Sequence, residues 1–257
     1  MKWNILLYRS TYIDSNNSQN LNFPVNLNNP CLPCQTPTYI TLKDIESKNR
    51  VSLLPYVYSG LSVDRKDNAL MYGKPQGTVG LSGLFDINNI TSLEHAINPY
   101  FSQVEADVSK ITANNTFVIF FEERRPYFNE GNDIIETELN TVYTRSINKP
   151  LFSSKLISQG ENKRIYWLAA YDEASPYLIA GKNRSYFGKG NASYSNIVRY
   201  QRTFKQGSNM EFLTTNRFFK DGGYGHTFGI DGVYRFKKSY TATFKFNKSF
   251  VLEPQAN

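Results

Sequence analysis

Apolar and polar residues alternate one by one through the last third of the chain. Tyr240, Ala242, Phe244 and Phe246 share one parity, and Thr241, Thr243, Lys245 and Asn247 share the other. Successive side chains of a strand point to opposite faces, so this segment predicts a strand with one aromatic and one polar face. The segment before it repeats the pattern, with Phe228, Ile230, Gly232, Tyr234 and Phe236 set against Thr227, Gly229, Asp231, Val233 and Arg235. Lys237-Lys238-Ser239 supplies the turn between them. Two strands of about ten residues joined this tightly make a hairpin long enough to cross a bilayer when tilted.

The same rhythm starts at Val51. Asp86-Ile87-Asn88-Asn89 separates two alternating runs at 78–85 and 90–97, Gly207-Ser208 follows a run at 198–204, and Asp221-Gly222-Gly223 follows one at 210–218. Short strands with turns at even spacing are the mark of sandwiches and barrels. No segment carries a helical period of convincing length, and no coiled-coil heptads or longer repeats occur. Residues 10–50 are instead rich in Asn, Ser and Pro, as in Ser15-Asn16-Asn17-Ser18 and Asn28-Asn29-Pro30, which favour turns over regular pairing. The chain therefore divides into an irregular leader or loop at 1–50 and an all-β domain at 51–257, built of antiparallel hairpins of the outer-membrane β-barrel type and expected to be an incomplete barrel.

Composition narrows the setting. Of 257 residues, 40% are hydrophobic and 15% aromatic, with 18 Tyr and 18 Phe, yet the mean hydropathy is −0.47. No stretch approaches the ~20 apolar residues of a membrane-spanning helix, which excludes a helical membrane protein. A transmembrane barrel is compatible, because its strands alternate lipid-facing apolar residues with polar ones. The net charge of +7 is dispersed, apart from pairs such as Arg124-Arg125 and Lys237-Lys238, and dispersion argues for a solvated basic surface with no nucleic-acid partner. Met1 to Arg9 lacks the hydrophobic core and cleavage site of a signal peptide. An outer-membrane location, with lipid as partner, thus implies an export signal outside this sequence.

Candidate chemistry is sparse. Cys31-Leu32-Pro33-Cys34 has dithiol spacing and is open to a local disulfide or inert thiols in a loop, a redox pair or half a metal site, but His95 and His226 stand at no ligand spacing and no metal or other cofactor is expected. The glycine groups at 222–225 and 188–190 lack the strand-to-helix context of a phosphate cradle and read as turns. The densest polar cluster is Phe120 to Asp133, containing Glu122, Glu123, Arg124, Arg125, Pro126, Glu130 and Gly131. Its carboxylates, or Glu105 with Asp107, could act as the pair of a glycoside hydrolase. Arginines beside carboxylates more often form structural ion pairs in a polar interior, and that is the expectation adopted.

Asn98-Pro99-Tyr100-Phe101-Ser102-Gln103-Val104-Glu105-Ala106-Asp107 followed by Phe120 to Gly131, then Tyr143-Thr144-Arg145-Ser146-Ile147 and Thr214-Thr215-Asn216-Arg217, resembles an outer-membrane-type family common in Bacteroidota. Members of that family carry a secretion signal, a carbohydrate-binding family 9-like (DOMON-type) sandwich, and a long β-barrel domain of unknown function that begins near a segment similar to Leu53-Leu54-Pro55-Tyr56-Val57. The resemblance marks Gln103, Glu105, Asp107, Glu123, Arg124, Arg125, Pro126, Glu130, Gly131 and Arg145 as motif positions. It implies a non-catalytic barrel module of a surface protein associated with carbohydrate handling, reaching glycan through a module upstream of this chain, and it makes this chain a partial copy. The alternatives are a hydrolase using the 122–133 carboxylates or a soluble β-sandwich binding module; Lys245, Lys248 and their aromatic neighbours would serve a sandwich that bound nucleic acid.

Overall fold

The computed structural model describes residues 2–13, 16–26, 32–41, 49–61, 63–66, 69–99, 123, 125–137, 139–180, 185–237 and 240–254. The chain divides into two compact units, Met1–Lys48 and Asn49–Asn257. In the first, β1 (Lys2–Asn4) pairs with β4 (Tyr39–Thr41) and β2 (Tyr8–Ile13) with β3 (Asn16–Leu21), both antiparallel. Strands thus occupy part of a stretch whose Asn and Ser content predicts irregular backbone. Ser10, Thr11 and Tyr12 pair with Gln19, Ser18 and Asn17, so the ladder satisfies the backbone even where polar side chains dominate. Cys34, within the 3-10 turn Pro33–Gln35, is disulfide-bonded.

The second unit is built on one nine-stranded antiparallel sheet. Its strands are β5 (Val51–Gly60), β8 (Gln76–Asn88), β9 (Thr91–Ile97), β10 (Pro150–Gln159), β11 (Lys163–Asp172), β14 (Ser193–Thr203), β15 (Asn209–Phe219), β16 (Tyr224–Phe236) and β17 (Tyr240–Leu252), and each is bonded to the next in this order. Two hairpins, β6 (Val63–Lys66) with β7 (Ala69–Tyr72) and β12 (Pro176–Ala180) with β13 (Ser185–Lys189), extend from the connections between β5 and β8 and between β11 and β14. The protein is therefore all-β and antiparallel, as the alternation predicts. The sheet is not closed: β5 and β17 have no strand on their outer edges among the described residues. No helix among those residues is long and apolar enough to cross a membrane.

The terminal hairpin follows the sequence reading position by position, with Phe236 opposite Tyr240 and Ile230 opposite Phe246. The turn after β15 is where Asp221-Gly222-Gly223 predicts it, and Gly222 and Gly223 take φ of 81° and 88°, which L residues adopt with strain. The β8–β9 turn falls at Asn89 and Ile90, later than expected, because a register shift between Asp86 and Asn88 carries β8 three residues further.

The two ends of the sheet differ. At one end β8–β9, β10–β11 and β14–β15 are joined by tight turns, and β16 is joined to β17 by a short connection of which Lys238 and Ser239 lie outside the described residues. At the other, residues 61–75, 98–149 and 173–192 make long connections, and only β15–β16 is short. The two faces differ as well. Register places Phe152, Tyr171, Tyr194, Phe218 and Tyr224 in one row across five strands on the outer face, all of them exposed. At the tight-turn end of the same face Tyr234, Phe236 and Tyr240 stack on one another with centroids 5.6 and 5.2 Å apart.

The inner face carries Glu94 and Ala96 of β9, Ser153, Lys155 and Ile157 of β10, Tyr166, Leu168, Ala170 and Asp172 of β11, and Ser195, Ile197 and Arg199 of β14, all buried. A segment from the long β9–β10 connection covers them. Phe128, Ile134, Ile135 and Ile147 of that segment form one apolar cluster with Ile157, Tyr166, Leu168, Ala170, Ile197 and Leu213 of the sheet. Removing such side chains from water is the main force holding the segment down, at about 1.5 to 3 kcal/mol for each large one.

Candidate functional site: the segment covering the inner face

The described part of the covering segment contains a buried ion pair. Arg125 donates from Nε to Glu123 Oε1 at 2.9 Å and from Nη2 to Glu123 Oε2 at 2.8 Å, and its backbone N–H reaches Oε1 at 3.0 Å. The guanidinium also donates to the carbonyls of Ile147 at 2.6 Å and Thr144 at 3.0 Å, while the Thr144 hydroxyl donates to Glu123 Oε2 at 2.7 Å. One residue thus ties Glu123 to Thr144 and Ile147, about twenty positions further on. The Phe128 ring lies 4.2 Å below the guanidinium carbon. Burial disfavours the charged Glu123 carboxylate, but the Arg125 hydrogen bonds and charge, with those of Thr144 and the Arg125 backbone, outweigh it and hold the carboxyl below its usual range. A carboxylate held ionised and enclosed in this way is unsuited to be the general acid of a hydrolase.

Pro126 opens the four-residue helix α1 (Pro126–Asn129), where its missing N–H costs nothing and its fixed φ suits the first turn. Gly131, at φ 78°, then turns the chain into α2 (Asn132–Ile135). A Cβ there would lie 2.6 Å from Ile157 Cδ1, so the position needs glycine for space as well as conformation.

Polar groups of the strands anchor the segment from below. Lys155, wholly buried, pairs with Glu94 at 3.1 Å and donates to the carbonyls of Tyr127 at 2.5 Å and Glu130 at 3.2 Å, with the Tyr127 ring 4.8 Å from its Nζ. Burial pushes the Tyr127 phenol up, so it stays protonated. Gln201 donates to the Ile134 carbonyl at 3.2 Å, Arg164 pairs with Asp133, and Arg217 donates to the Ser146 carbonyl at 2.5 Å. Asp172 receives the returning chain: it accepts from the N–H groups of Asn148 at 2.8 Å and Lys149 at 2.6 Å and from the Ser175 hydroxyl at 2.8 Å. Further along the inner face Arg199 is clasped between Asp231, at 2.7 Å, and Glu211.

Residues of the segment line a cleft of about 200 Å³, among them Asn132, Glu136, Asn140, Tyr143, Thr144 and Arg145. Of the motif positions read from the sequence, Glu123, Arg125, Pro126, Glu130, Gly131 and Arg145 all lie on this segment; Gln103, Glu105, Asp107 and Arg124 lie outside the described residues.

Residues 47–170 match a family model described as a domain of unknown function (DUF5916). The matched stretch runs into β11, so it contains the Glu123–Arg125 pair, both short helices and the cleft. No curated protein and no solved structure matches the chain.

Other candidates from the sequence lie apart from this site. His95 is on the outer face of β9 beside Phe85 and Phe152, and His226 is on β16 between Phe218 and Tyr224, with its Nδ1 3.0 Å from Asn216 Oδ1. Lys245 and Lys248 fall on opposite faces of β17, Lys245 opposite Asp231 and Lys248 over the Phe250 ring, so they do not build one basic patch. Among the described residues no group of three or more His, Cys, Asp or Glu side chains could hold a metal ion.

The Lys155–Glu94 and Arg199–Asp231–Glu211 clusters were not identified from sequence. Their available signal is a charged residue on the inward parity of a strand, as at Glu94, Lys155, Arg199, Glu211 and Asp231.

Proposed function

We propose that the chain is a non-catalytic module of an outer-membrane β-barrel, with its inner face plugged by the segment at 123–149, and that it works at a cell surface in the handling of glycans. The observation that carries the membrane part is the outer face. On β16 the two aromatic levels, Tyr224 and Tyr234, are ten positions apart. At about 3.4 Å per residue and a tilt of 40–45°, that spacing corresponds to a height of about 25 Å, the apolar band of a transmembrane barrel. Between these levels Phe228, Ile230, Phe244 and Phe246 stay exposed, while the other face carries the covered apolar cluster together with serines and ion pairs. Tight turns at one end and long connections at the other are the second feature such barrels share. The glycan part rests on the family resemblance, in which a carbohydrate-binding module precedes the barrel.

Co-flotation with lipid vesicles tests the membrane reading. The chain, refolded from urea in the presence of vesicles of saturated short-chain phosphatidylcholine, is expected to bind them through its aromatic face and to float with lipid. A stable monomer in plain buffer that stays in the soluble fraction would contradict it and favour a soluble sandwich.

A further inference from the structure

We infer that the rim of the outer face, at the end with tight turns, binds the headgroup of an anionic phospholipid, with the cross-strand pair Lys163 and Arg202 at its centre. The inference rests on the lipid-facing reading of that face and names the class of lipid it takes. Lys163 on β11 stands directly opposite Arg202 on β14. The next opposed residues, Asn162 and Thr203, are joined by the Thr203 N–H donating to the Asn162 carbonyl at 3.0 Å. Backbone bonds alternate along an antiparallel pair, so Lys163 and Arg202 face each other with none of their own, the arrangement in which side chains stand closest, with Cα atoms about 4.5 Å apart. Like charges placed there repel. A phosphate between them removes the repulsion.

Both side chains are exposed, and among the described residues neither makes an ion pair. The Arg202 guanidinium carbon lies 5.5 Å from the centre of the Phe204 ring. That contact uses the face of the guanidinium and leaves its in-plane N–H donors for an anion.

The surroundings favour an anion carried on acyl chains over one free in water. Along the same face the neighbouring positions are Ile165 and Trp167 on β11, Tyr200 opposite Ile165 on β14, and Phe212 opposite Tyr200 on β15. One side of the pair therefore borders apolar side chains and the other borders the turns. Lysine and arginine at such a boundary lay their stems along the apolar part and keep the charge at headgroup level. Two more exposed lysines extend the rim, Lys205 between β14 and β15 and Lys237 just after β16. The Arg235 N–H donates to Ser208 Oγ at 3.0 Å, which sets these two connections side by side. Against these cations the connections at 160–162, 204–208 and 237–239 carry one carboxylate in their sequence, Glu161. The stack of Tyr234, Phe236 and Tyr240 lies at the same end, where an aromatic girdle meets headgroups.

The test is co-flotation of the whole chain with vesicles of phosphatidylcholine alone and of phosphatidylcholine mixed with phosphatidylglycerol, at one ionic strength. Affinity should rise at least about twentyfold on the mixed vesicles, since one cation near an anionic surface contributes about fivefold. Lys163→Gln with Arg202→Gln should lose most of that rise and bind phosphatidylcholine alone as the wild type does, which also shows that the variant is folded. Lys149→Gln with Lys220→Gln removes the same charge at the opposite end of the sheet and should cost less than about threefold. A chain that floats with phosphatidylcholine and gains nothing from phosphatidylglycerol, or equal losses in the two double variants, would overturn the rim and leave the membrane reading standing. Flotation with neither kind of vesicle would overturn both. Binding to the mixed vesicles alone, lost in Lys163→Gln with Arg202→Gln, would support the rim and count against the lipid-facing band.

Discussion

Replacing Arg125 by alanine should release the covering segment. Among the described residues the side chain makes four hydrogen bonds, two to Glu123 and one each to the carbonyls of Ile147 and Thr144, and both members of the ion pair are almost wholly enclosed. Charged hydrogen bonds contribute about 1.5 to 3 kcal/mol each, but their sum overstates the loss, because forming the pair also removed two charges from water. The relevant quantity is the penalty of leaving Glu123 buried and alone, about 3 to 5 kcal/mol. For a unit of this size that lowers the unfolding midpoint by about 10 °C.

Equilibrium unfolding in detergent, followed by the tryptophan signal, measures the change, and two controls identify its cause. Glu123→Gln combined with Arg125→Ala should be less destabilised than Arg125→Ala alone, since no charge is then stranded. The wild-type advantage over Arg125→Ala should also depend on pH in one direction. The Glu123 pKa is depressed in the folded state, so its contribution is complete above the ordinary carboxylate range and fades as pH falls through the depressed value. Equal stability of wild type and Arg125→Ala at neutral pH, or no recovery in the double variant, would refute the reasoning.

Gly131→Ala should destabilise by more than about 1 kcal/mol, because it meets both a positive φ and the Ile157 methyl; denaturant titration reads it. Asp172→Ala leaves the N–H groups of Asn148 and Lys149 without their acceptor, at about 1 to 3 kcal/mol for each group left unpaired. It should raise amide exchange at those two positions before the strands exchange. Phe228→Arg, on the outer face between the aromatic levels, should reduce the free energy of folding into vesicles by about 2 to 4 kcal/mol while leaving the covering segment intact. Unchanged folding into vesicles would count against lipid on that face.

The strands were legible because their information is local. Phe228 to Phe246 can be assigned to two faces by parity alone, and Gly222-Gly223 marks its turn without reference to the rest of the fold. The late β8–β9 turn was missed because a bulge inserts a residue that parity cannot anticipate. The covering segment was legible only in part. An Arg–Glu pair in a polar interior was expected from the cluster, and Arg125 with Glu123 is such a pair. That the same stretch lies across the sheet could not be read, because Phe128, Ile134, Ile135 and Ile147 follow no period and gain their burial from strands up to about 85 residues further along the chain. Glu94 and Lys155 are 61 positions apart, and only the register of β9 on β10 sets them side by side.

The central claim is that β16 faces lipid with one parity and a polar interior with the other. Nitroxide scanning tests it most directly. Single cysteines at positions 226–234, in a chain carrying Cys31→Ser and Cys34→Ser, are spin-labelled in vesicles, and collisions with oxygen and with a water-soluble nickel chelate are compared. Oxygen accessibility should peak at Phe228 and Ile230 and fall at Thr227, Gly229 and Asp231, with a period of two. Uniform exposure to the nickel chelate along the strand, with no alternation, would contradict the account.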